Sequence, residues 1–169
     1  PQEFIQRYPV RLYHFTDERN IDSIRKHDGL WPSAALRDHR IEVAAPGGDD
    51  ISRRSDARKN LDRYVHLCFF RNHPMEYRAR CDGRVQCARF LEVDSRVLTV
   101  EPVLVTLGMA NTTGIDFHTV EDAIRTMDLE VMFSHTDWSD PAVFERRKSV
   151  EKYEVLVPYR IPLSWITGI

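Results

Sequence analysis

The chain has 169 residues, of which 42% are hydrophobic and 30% are charged, and this composition predicts one folded domain over residues 1–169. No apolar run approaches the ~20 residues that cross a bilayer, and the first residues lack the basic and apolar regions of a signal peptide. The formal net charge of −2 excludes a strong overall attraction to nucleic acid. Three cysteines without a CxxC pair indicate reduced thiols, so we expect a cytoplasmic protein with no membrane partner.

The first part of the chain alternates short apolar and polar segments. We predict a strand over 10–15, a short helix with Ile21 and Ile24 on one face, and a helical piece within 33–43. Asp17 or Asn20 is the expected cap of the first helix, and Gly29 is expected to end it. Residues 44–50 are predicted to form a loop. The basic, polar segment 51–60 is predicted to be irregular, and a long irregular stretch in a small domain is usually functional or disordered.

The second part of the chain predicts four more strands, over 64–70, 85–93, 103–106 and 153–157. Helices are expected to begin at Pro74, to span 120–133, and to run from Pro141 to Lys148. Strands and helices mix without strict βαβ alternation, which favours the α+β class over a doubly wound sheet.

Several common catalytic motifs are missing from the sequence. There is no P-loop, no GxGxxG, no HExxH and no GxSxG elbow. His66, Cys68 and His73 lie close in sequence, but no complete ligand set follows at zinc spacing. No metal is therefore expected.

Two segments carry polar groups that suit a nucleotide ligand. His14 and Thr16 lie two positions apart at the end of the first strand, and their side chains can hold an amide-bearing ring such as nicotinamide. Their spacing alone is more typical of a core histidine and a capping threonine. Arg53 and Arg54, after a glycine-acid loop, can grip a pyrophosphate, or can simply form a solvated basic face.

Two further segments suggest the wall of a cleft. Phe69, Met75 and Tyr77 lie where an aromatic strand turns into a helix, a pattern able to line a flat-ring pocket but more often core. Glu154 lies on an apolar strand, on the same side as Leu156. A carboxylate there either faces solvent on an edge strand or lines a cleft as a catalytic group.

In this order, the segments resemble the DarT family of DNA ADP-ribosyltransferases. The matching residues are Tyr-His-Phe-Thr at 13–16, Ile-Ser-Arg-Arg at 51–54, Tyr-Val-His-Leu-Cys-Phe-Phe and His-Pro-Met within 64–75, the loop 106–114, and Glu-Val-Leu-Val-Pro from 154. The resemblance covers nearly the whole chain. It implies the ADP-ribosyltransferase fold, a split antiparallel β core flanked by helices, with NAD⁺ in the cleft between the sheets.

The resemblance also implies roles for individual residues. His14 and Thr16 would anchor the nicotinamide end of NAD⁺, and the pocket would be lined by Phe69, Met75 and Tyr77. Arg54 would approach the NAD⁺ phosphates and the reacting base. Glu154 would be the catalytic carboxylate that stabilises the cation formed when the nicotinamide–ribose bond breaks, with either Glu154 or Arg54 assisting removal of the base proton.

The same resemblance implies a toxin that modifies single-stranded DNA and is paired with an antitoxin, an ADP-ribosyl hydrolase of macrodomain or NADAR type. The loop around 109–114 looks closer to the guanine-modifying branch than to the thymine-modifying one. We expect the DNA strand to contact Arg53, Arg58, Lys59, Arg63 and Asn111.

Two alternatives from other classes stay open at this point. One is a metal-independent RNase toxin that uses His14 or His66, and it leaves Glu154 unexplained. The other is a non-catalytic nucleic-acid-binding module, which predicts no dependence on NAD⁺.

Overall fold

The computed structural model describes residues 1–169, which form nine strands and eight α-helices. The strands are β1 Leu12–Asp17, β2 Gly29–Leu30, β3 Val65–Cys68, β4 Ala88–Val93, β5 Leu104–Thr106, β6 His118–Thr119, β7 Glu154–Val157, β8 Ile161–Pro162 and β9 Ile166–Thr167. The helices are α1 Gln2–Arg7, α2 Ile21–Lys26, α3 Ser33–Asp38, α4 Asp50–Arg58, α5 Pro74–Cys81, α6 Val120–Thr126, α7 Leu129–Phe133 and α8 Pro141–Val150. None of these helices is both long and apolar enough to span a membrane.

Seven strands form one sheet in the order β6-β5-β7-β3-β1-β4-β9, and every neighbouring pair is antiparallel. Strands β2 and β8 form a separate two-stranded ribbon. Strand β7 lies inside the sheet, between β5 and β3, and all four of its residues are buried. The interpretation of Glu154 as a solvent-facing residue on an edge strand is therefore wrong.

The large sheet is nearly divided in two between β1 and β3. These strands share a single residue pair, Tyr13 with Cys68, whereas β1 and β4 pair along six residues from Leu12 to Asp17. Beyond the shared pair the two halves of the sheet diverge and leave a cleft. The predicted α+β class with a split antiparallel core is thus confirmed.

A single main hydrophobic core holds the two halves of the sheet together. Leu12 and Leu91 of one half and Val155 of the other are completely buried in the same cluster. Burial of a leucine or valine side chain contributes about 1.5–3 kcal/mol, so the shared cluster fixes the two halves despite their weak pairing.

Two predicted elements differ from the observed ones. Residues 51–60, expected to be irregular, contain most of helix α4, which Asp49 caps by accepting a hydrogen bond from the Ser52 amide at 2.7 Å. The predicted helix 120–133 is two helices, because Met127 is extended and Asp128 caps a new helix through the amide of Val131.

Candidate active site

The divergence of β1 and β3 opens a cleft with a volume of about 780 Å³, within the range of small-molecule sites. Its floor comes from these strands and from β7, and its walls come from α4 and the loop 43–48. The predicted site residues that line it are His14, Thr16, Arg53, Arg54, Met75, Asn111 and Glu154. The fold therefore gathers groups from five separate segments of the chain.

Glu154 is the buried carboxylate of this cleft, with 6% of its surface exposed. Its Oε2 accepts a hydrogen bond from His66 Nδ1 at 2.8 Å, and its Oε1 accepts one from the backbone amide of Ala110 at 3.1 Å. Burial opposes the charged form, but the His66 hydrogen bond and charge outweigh it, so the Glu154 pKa lies below its ordinary value. The site therefore holds a fixed, ionised carboxylate.

His66 is the group that keeps Glu154 charged. Its Nδ1 faces the Glu154 carboxylate, and its Nε2 lies 3.1 Å from the carbonyl oxygen of Leu61. A carbonyl and a carboxylate only accept hydrogen bonds, so both ring nitrogens carry protons and the ring is an imidazolium. Burial acts to lower the His66 pKa, but the hydrogen bond and charge of Glu154 raise it above the ordinary value.

His14 is held in the opposite, neutral state. Its Nδ1 donates to the carbonyl oxygen of His66 at 3.0 Å, across the gap where β1 and β3 no longer pair. Burial lowers the His14 pKa despite this hydrogen bond. The neutral tautomer with Nδ1–H leaves Nε2 as a hydrogen-bond acceptor.

His73 completes the surroundings of Glu154. Its Nδ1 accepts from the Met75 amide at 3.3 Å and so caps α5. Its buried Nε2 lies 3.7 Å from Glu154 Oε1 and has no hydrogen-bond partner. Burial lowers the His73 pKa, although the Glu154 charge opposes the shift. Because Nδ1 accepts a hydrogen bond, the proton of the neutral His73 ring is on Nε2, which faces the Glu154 carboxylate.

Asn20 organises the cleft wall, a role that sequence reasoning missed because it considered Asn20 only as a helix cap. Its amide donates to the carbonyl of Ala45 at 2.7 Å, and its Oδ1 accepts from the Ala45 amide at 3.0 Å. The same side chain donates to Thr16 Oγ1 at 3.1 Å. The loop 43–48 is thus fixed to the end of β1. The only sequence signal was a polar side chain near a strand end, which is too common to identify the role.

Helix α4 carries the two arginines to the cleft. Arg53 pairs with Asp50 on the same helix, whereas Arg54 has no ion pair. Both side chains are exposed at the mouth of the cleft. A phosphate entering the cleft would meet the unpaired Arg54 without first displacing a carboxylate.

The loop 107–114 is attached to α4. Lys59 Nζ donates to the carbonyl oxygens of Asn111 at 2.7 Å and Thr112 at 2.8 Å. Asn111 Nδ2 in turn donates to Ser52 Oγ at 3.2 Å. The ammonium group of Lys59 therefore has a structural role in positioning the loop that presents Asn111 and the Ala110 amide.

The structure places Phe69 and Tyr77 outside the lining of this cleft, and their predicted contact with NAD⁺ stays a prediction. Phe69 is 6% exposed and belongs to the main hydrophobic core, while Tyr77 is 65% exposed on the outer face of α5. Phe69 follows the last residue of β3 and packs into the core, and the helical twist of α5 brings only Met75 to the cleft. Arg58 and Arg63 are exposed outside the cleft lining, and their predicted contact with DNA stays a prediction.

The fold belongs to the class of the ADP-ribosyltransferases. Over 93% of its length, the chain matches the structure of Thermosipho africanus DarTG in complex with ADP-ribose, with a TM-score of 0.71 and 19% sequence identity. It matches Thermus sp. 2.9 DarT in complex with NAD⁺ over 94% of its length, with a TM-score of 0.62 and 20% identity. The chain spans 42% of the Thermosipho protein and 79% of the Thermus protein.

The sequence narrows the class to one family. Residues 13–169 match the family described as "ssDNA thymidine ADP-ribosyltransferase, DarT". The chain therefore belongs to the DarT family, which confirms the resemblance seen in the sequence. No curated protein sequence matches the chain.

Proposed function

We propose that this protein transfers ADP-ribose from NAD⁺ to a base of single-stranded DNA and releases nicotinamide. The observation that carries the proposal is Glu154, a buried carboxylate kept ionised beside a cleft of about 780 Å³. A relative, Thermus sp. 2.9 DarT, has been solved with NAD⁺ and with ADP-ribosylated single-stranded DNA, at 20% and 19% identity to this chain. Family membership and the charge state of Glu154 support the same reaction.

In this proposal Glu154 acts on the ribose. Breaking the bond between nicotinamide and ribose develops positive charge on the sugar, and a fixed carboxylate stabilises that charge without reorganising. His66 and the Ala110 amide hold Glu154 before the reaction begins. The imidazolium of His66 reinforces the position of the carboxylate rather than supplying a base. The RNase alternative therefore loses His66 as a base, and it leaves the buried carboxylate of Glu154 without a role.

His14 and Thr16 suit the nicotinamide amide as a matched pair. The free Nε2 of His14 accepts an N–H, and the Thr16 hydroxyl, which already accepts from Asn20, has its hydrogen free for a carbonyl. The carboxamide of nicotinamide has both an N–H donor for His14 and a carbonyl acceptor for Thr16. Arg54 would hold the NAD⁺ phosphates, Met75 would line the ring pocket, and Arg53 and Asn111 would contact the DNA strand.

The biological role proposed is that of a toxin, with an antitoxin that hydrolyses the ADP-ribosyl group and is of macrodomain or NADAR type. Thermosipho africanus DarTG, the relative matched over 42% of its length, supports a toxin–antitoxin setting. For the target base we propose guanine, on the resemblance of the loop 109–114 to the guanine-modifying branch.

Replacing Glu154 by Gln tests the catalytic proposal. We expect the initial rate of ADP-ribose transfer to a single-stranded oligonucleotide to fall by about 10²–10³-fold, the usual effect of losing one preorganised electrostatic group. The amide keeps the volume of the side chain, so circular dichroism should show an unchanged fold. Glu92→Gln is the matched control, because Glu92 is a partly exposed strand glutamate outside the cleft. Transfer by Glu154→Gln at the wild-type rate would exclude Glu154 as the catalytic carboxylate.

A further inference from the structure

The proposed reaction releases a proton that some group in the cleft must accept. The C–N bond from ribose to nicotinamide breaks, and its electron pair leaves with neutral nicotinamide. A new C–N bond forms to a ring or exocyclic nitrogen of the DNA base, which loses its N–H proton. This inference rests on the proposed function, and it concerns the group that receives that proton.

Four acidic side chains line the cleft, and two of them are paired with cations at its mouth. Asp50 is paired with Arg53 on the same helix, and Asp62 is paired with Arg37. Each has an arginine competing with any incoming proton, which weakens it as a base.

Glu154, the third acid, is committed to the ribose side of the reaction. Both of its oxygens accept hydrogen bonds, from His66 and from the Ala110 amide. The same contacts keep its pKa below the ordinary value, so a proton transferred to it would be held weakly. Its arrangement favours a permanent negative charge over proton transfer.

Asp56, the fourth acid, differs from the other three. It lies on α4, lines the cleft and is partly buried, and its Oδ1 is buried without any hydrogen-bond partner. The nearby ammonium of Lys59 donates instead to two backbone carbonyls. Burial raises the Asp56 pKa, and the charge of Glu154 raises it further against the opposing effects of His66 and Lys59. A raised pKa makes the carboxylate a better proton acceptor near neutral pH.

The basic side chains of the cleft are less suited to the task. The guanidinium of Arg54 does not lose its proton in proteins and so cannot take another. His66 already carries two protons, and the Nδ1 lone pair of His73 already accepts from the Met75 amide. His14 retains a free Nε2, but burial lowers its pKa and disfavours the imidazolium.

We propose that Asp56 is the general base of the transfer reaction and accepts the N–H proton of the DNA base as its nitrogen attacks the ribose. No protein group pairs with the Asp56 carboxylate in the free protein, so no donor of the protein competes with the substrate's N–H group. After the product leaves, the proton passes from Asp56 to water. In this proposal Asp56 accepts the proton of the DNA base, and Glu154 stabilises the positive charge that develops on the ribose.

The test is the variant Asp56→Asn, measured for transfer to a single-stranded oligonucleotide over a series of NAD⁺ concentrations that extends to saturation. We expect kcat to fall by about 10²–10⁴-fold, the range of general acid–base catalysis, with KM for NAD⁺ little changed. Because Asp56 has no partner to lose, Asn should leave the thermal midpoint of unfolding equal or higher. Asp38→Asn is the matched control, because Asp38 is an exposed helical aspartate outside the cleft lining, and it should retain transfer.

The pH dependence gives a second, independent readout. The groups whose charges act on Asp56 are His66, Glu154, Asp62 and Lys59. In the wild type, kcat should rise with pH as Asp56 ionises, along an acidic limb set above the ordinary carboxyl value of 3.8. That limb should be missing from Asp56→Asn.

The outcomes separate this inference from the proposed function. If the wild type forms no DNA product with NAD⁺, the proposed function fails. If the wild type modifies DNA and Asp56→Asn does so at the same rate, Asp56 is not the base. The assignment would also be overturned by an Asp56→Asn variant that is slower but retains the acidic limb of the kcat–pH profile. It would likewise be overturned if the variant lost thermal stability together with activity.

Discussion

At the scale of single residues, the His66–Glu154 pair requires an explanation beyond stability. Taking two charges out of water carries a desolvation penalty that often equals or exceeds their mutual attraction. Glu154 is 6% exposed, so this penalty applies in full to the carboxylate. A buried pair of this kind need not add net stability compared with an apolar pair, and its fixing of a charged carboxylate in a cleft is better explained by catalysis.

The same pair makes stability depend on pH. The His66 pKa is raised above 6.5 in the folded state, so its contribution is fully present below pH 6.5 and is lost as pH rises through the raised value. The Glu154 pKa is lowered below 4.5, so its contribution is present above pH 4.5 and is lost as pH falls through the lowered value. The pair therefore stabilises the fold most between these two limits.

His66→Gln should remove the alkaline part of this dependence. We expect the variant to be less stable by about 1.5–3 kcal/mol near pH 6, the usual contribution of a hydrogen bond to a charged group. The difference from wild type should shrink as pH rises through the His66 pKa. Urea denaturation over a pH series measures it. A constant difference across the series would mean that His66 is neutral in the folded protein.

At the scale of elements, the five strands of three or more residues were predictable, whereas the two-residue strands β2, β6, β8 and β9 were not. Val65–Cys68 and Glu154–Val157 lie in short apolar or nearly apolar runs, a pattern that indicates buried strands when the run is too short for a helix. Helix α4 was missed because it has no apolar stripe, and its one large apolar residue, Ile51, is 76% exposed. Its cap at Asp49 was readable, but the periodic signal that normally supports a cap is absent.

The candidate site was predictable residue by residue but not as an assembly. Glu154 and His14 stand out as polar groups on apolar strands, whereas the contact of His66 with Glu154 joins residues 88 positions apart. That contact depends on β3 lying next to β7 in the sheet, which no local pattern specifies. The unpartnered state of Asp56 is likewise visible only after α4 has been placed over the cleft.

Asn20→Ala tests whether a single side chain fixes the cleft wall. The substitution removes both hydrogen bonds to Ala45 and leaves a buried backbone amide and carbonyl without partners. Each such loss typically costs about 1–3 kcal/mol, so we expect the loop 43–48 to open and KM for NAD⁺ to rise by about tenfold or more. Hydrogen exchange at Ala45, together with steady-state kinetics, would measure both effects.

The control for this experiment is Asn72→Ala, which removes an exposed asparagine outside the cleft and should change neither quantity. Unchanged exchange at Ala45 in the Asn20 variant would show that the loop is held by other contacts.

At the scale of the whole molecule, positive and negative side chains are interspersed and do not form a large region of one sign. The net charge is −2, and most arginines of the chain are paired with acidic neighbours, as Arg53 is with Asp50. Long-range attraction to DNA is therefore weak, and recognition has to depend on contacts made inside and around the cleft. A base can reach Glu154 and Asp56 only if it leaves the helical stack, because both residues line the cleft rather than an outer surface.

This geometry predicts a preference for single strands. Extruding a base from a duplex costs a few kcal/mol, and a single strand avoids most of that cost. We therefore expect ADP-ribosylation of a single-stranded oligonucleotide to be at least about tenfold faster than that of the same sequence annealed to its complement, since 1.4 kcal/mol corresponds to a factor of ten. Within single strands, guanine-containing, thymine-free oligonucleotides should be modified and guanine-free ones should not, as measured by mass gain and nicotinamide release. If thymine-only strands are modified instead, the proposed activity on DNA stands and the assignment of guanine as the target base is wrong. Equal rates on single and double strands would mean that the base is captured by a route other than entry into the cleft.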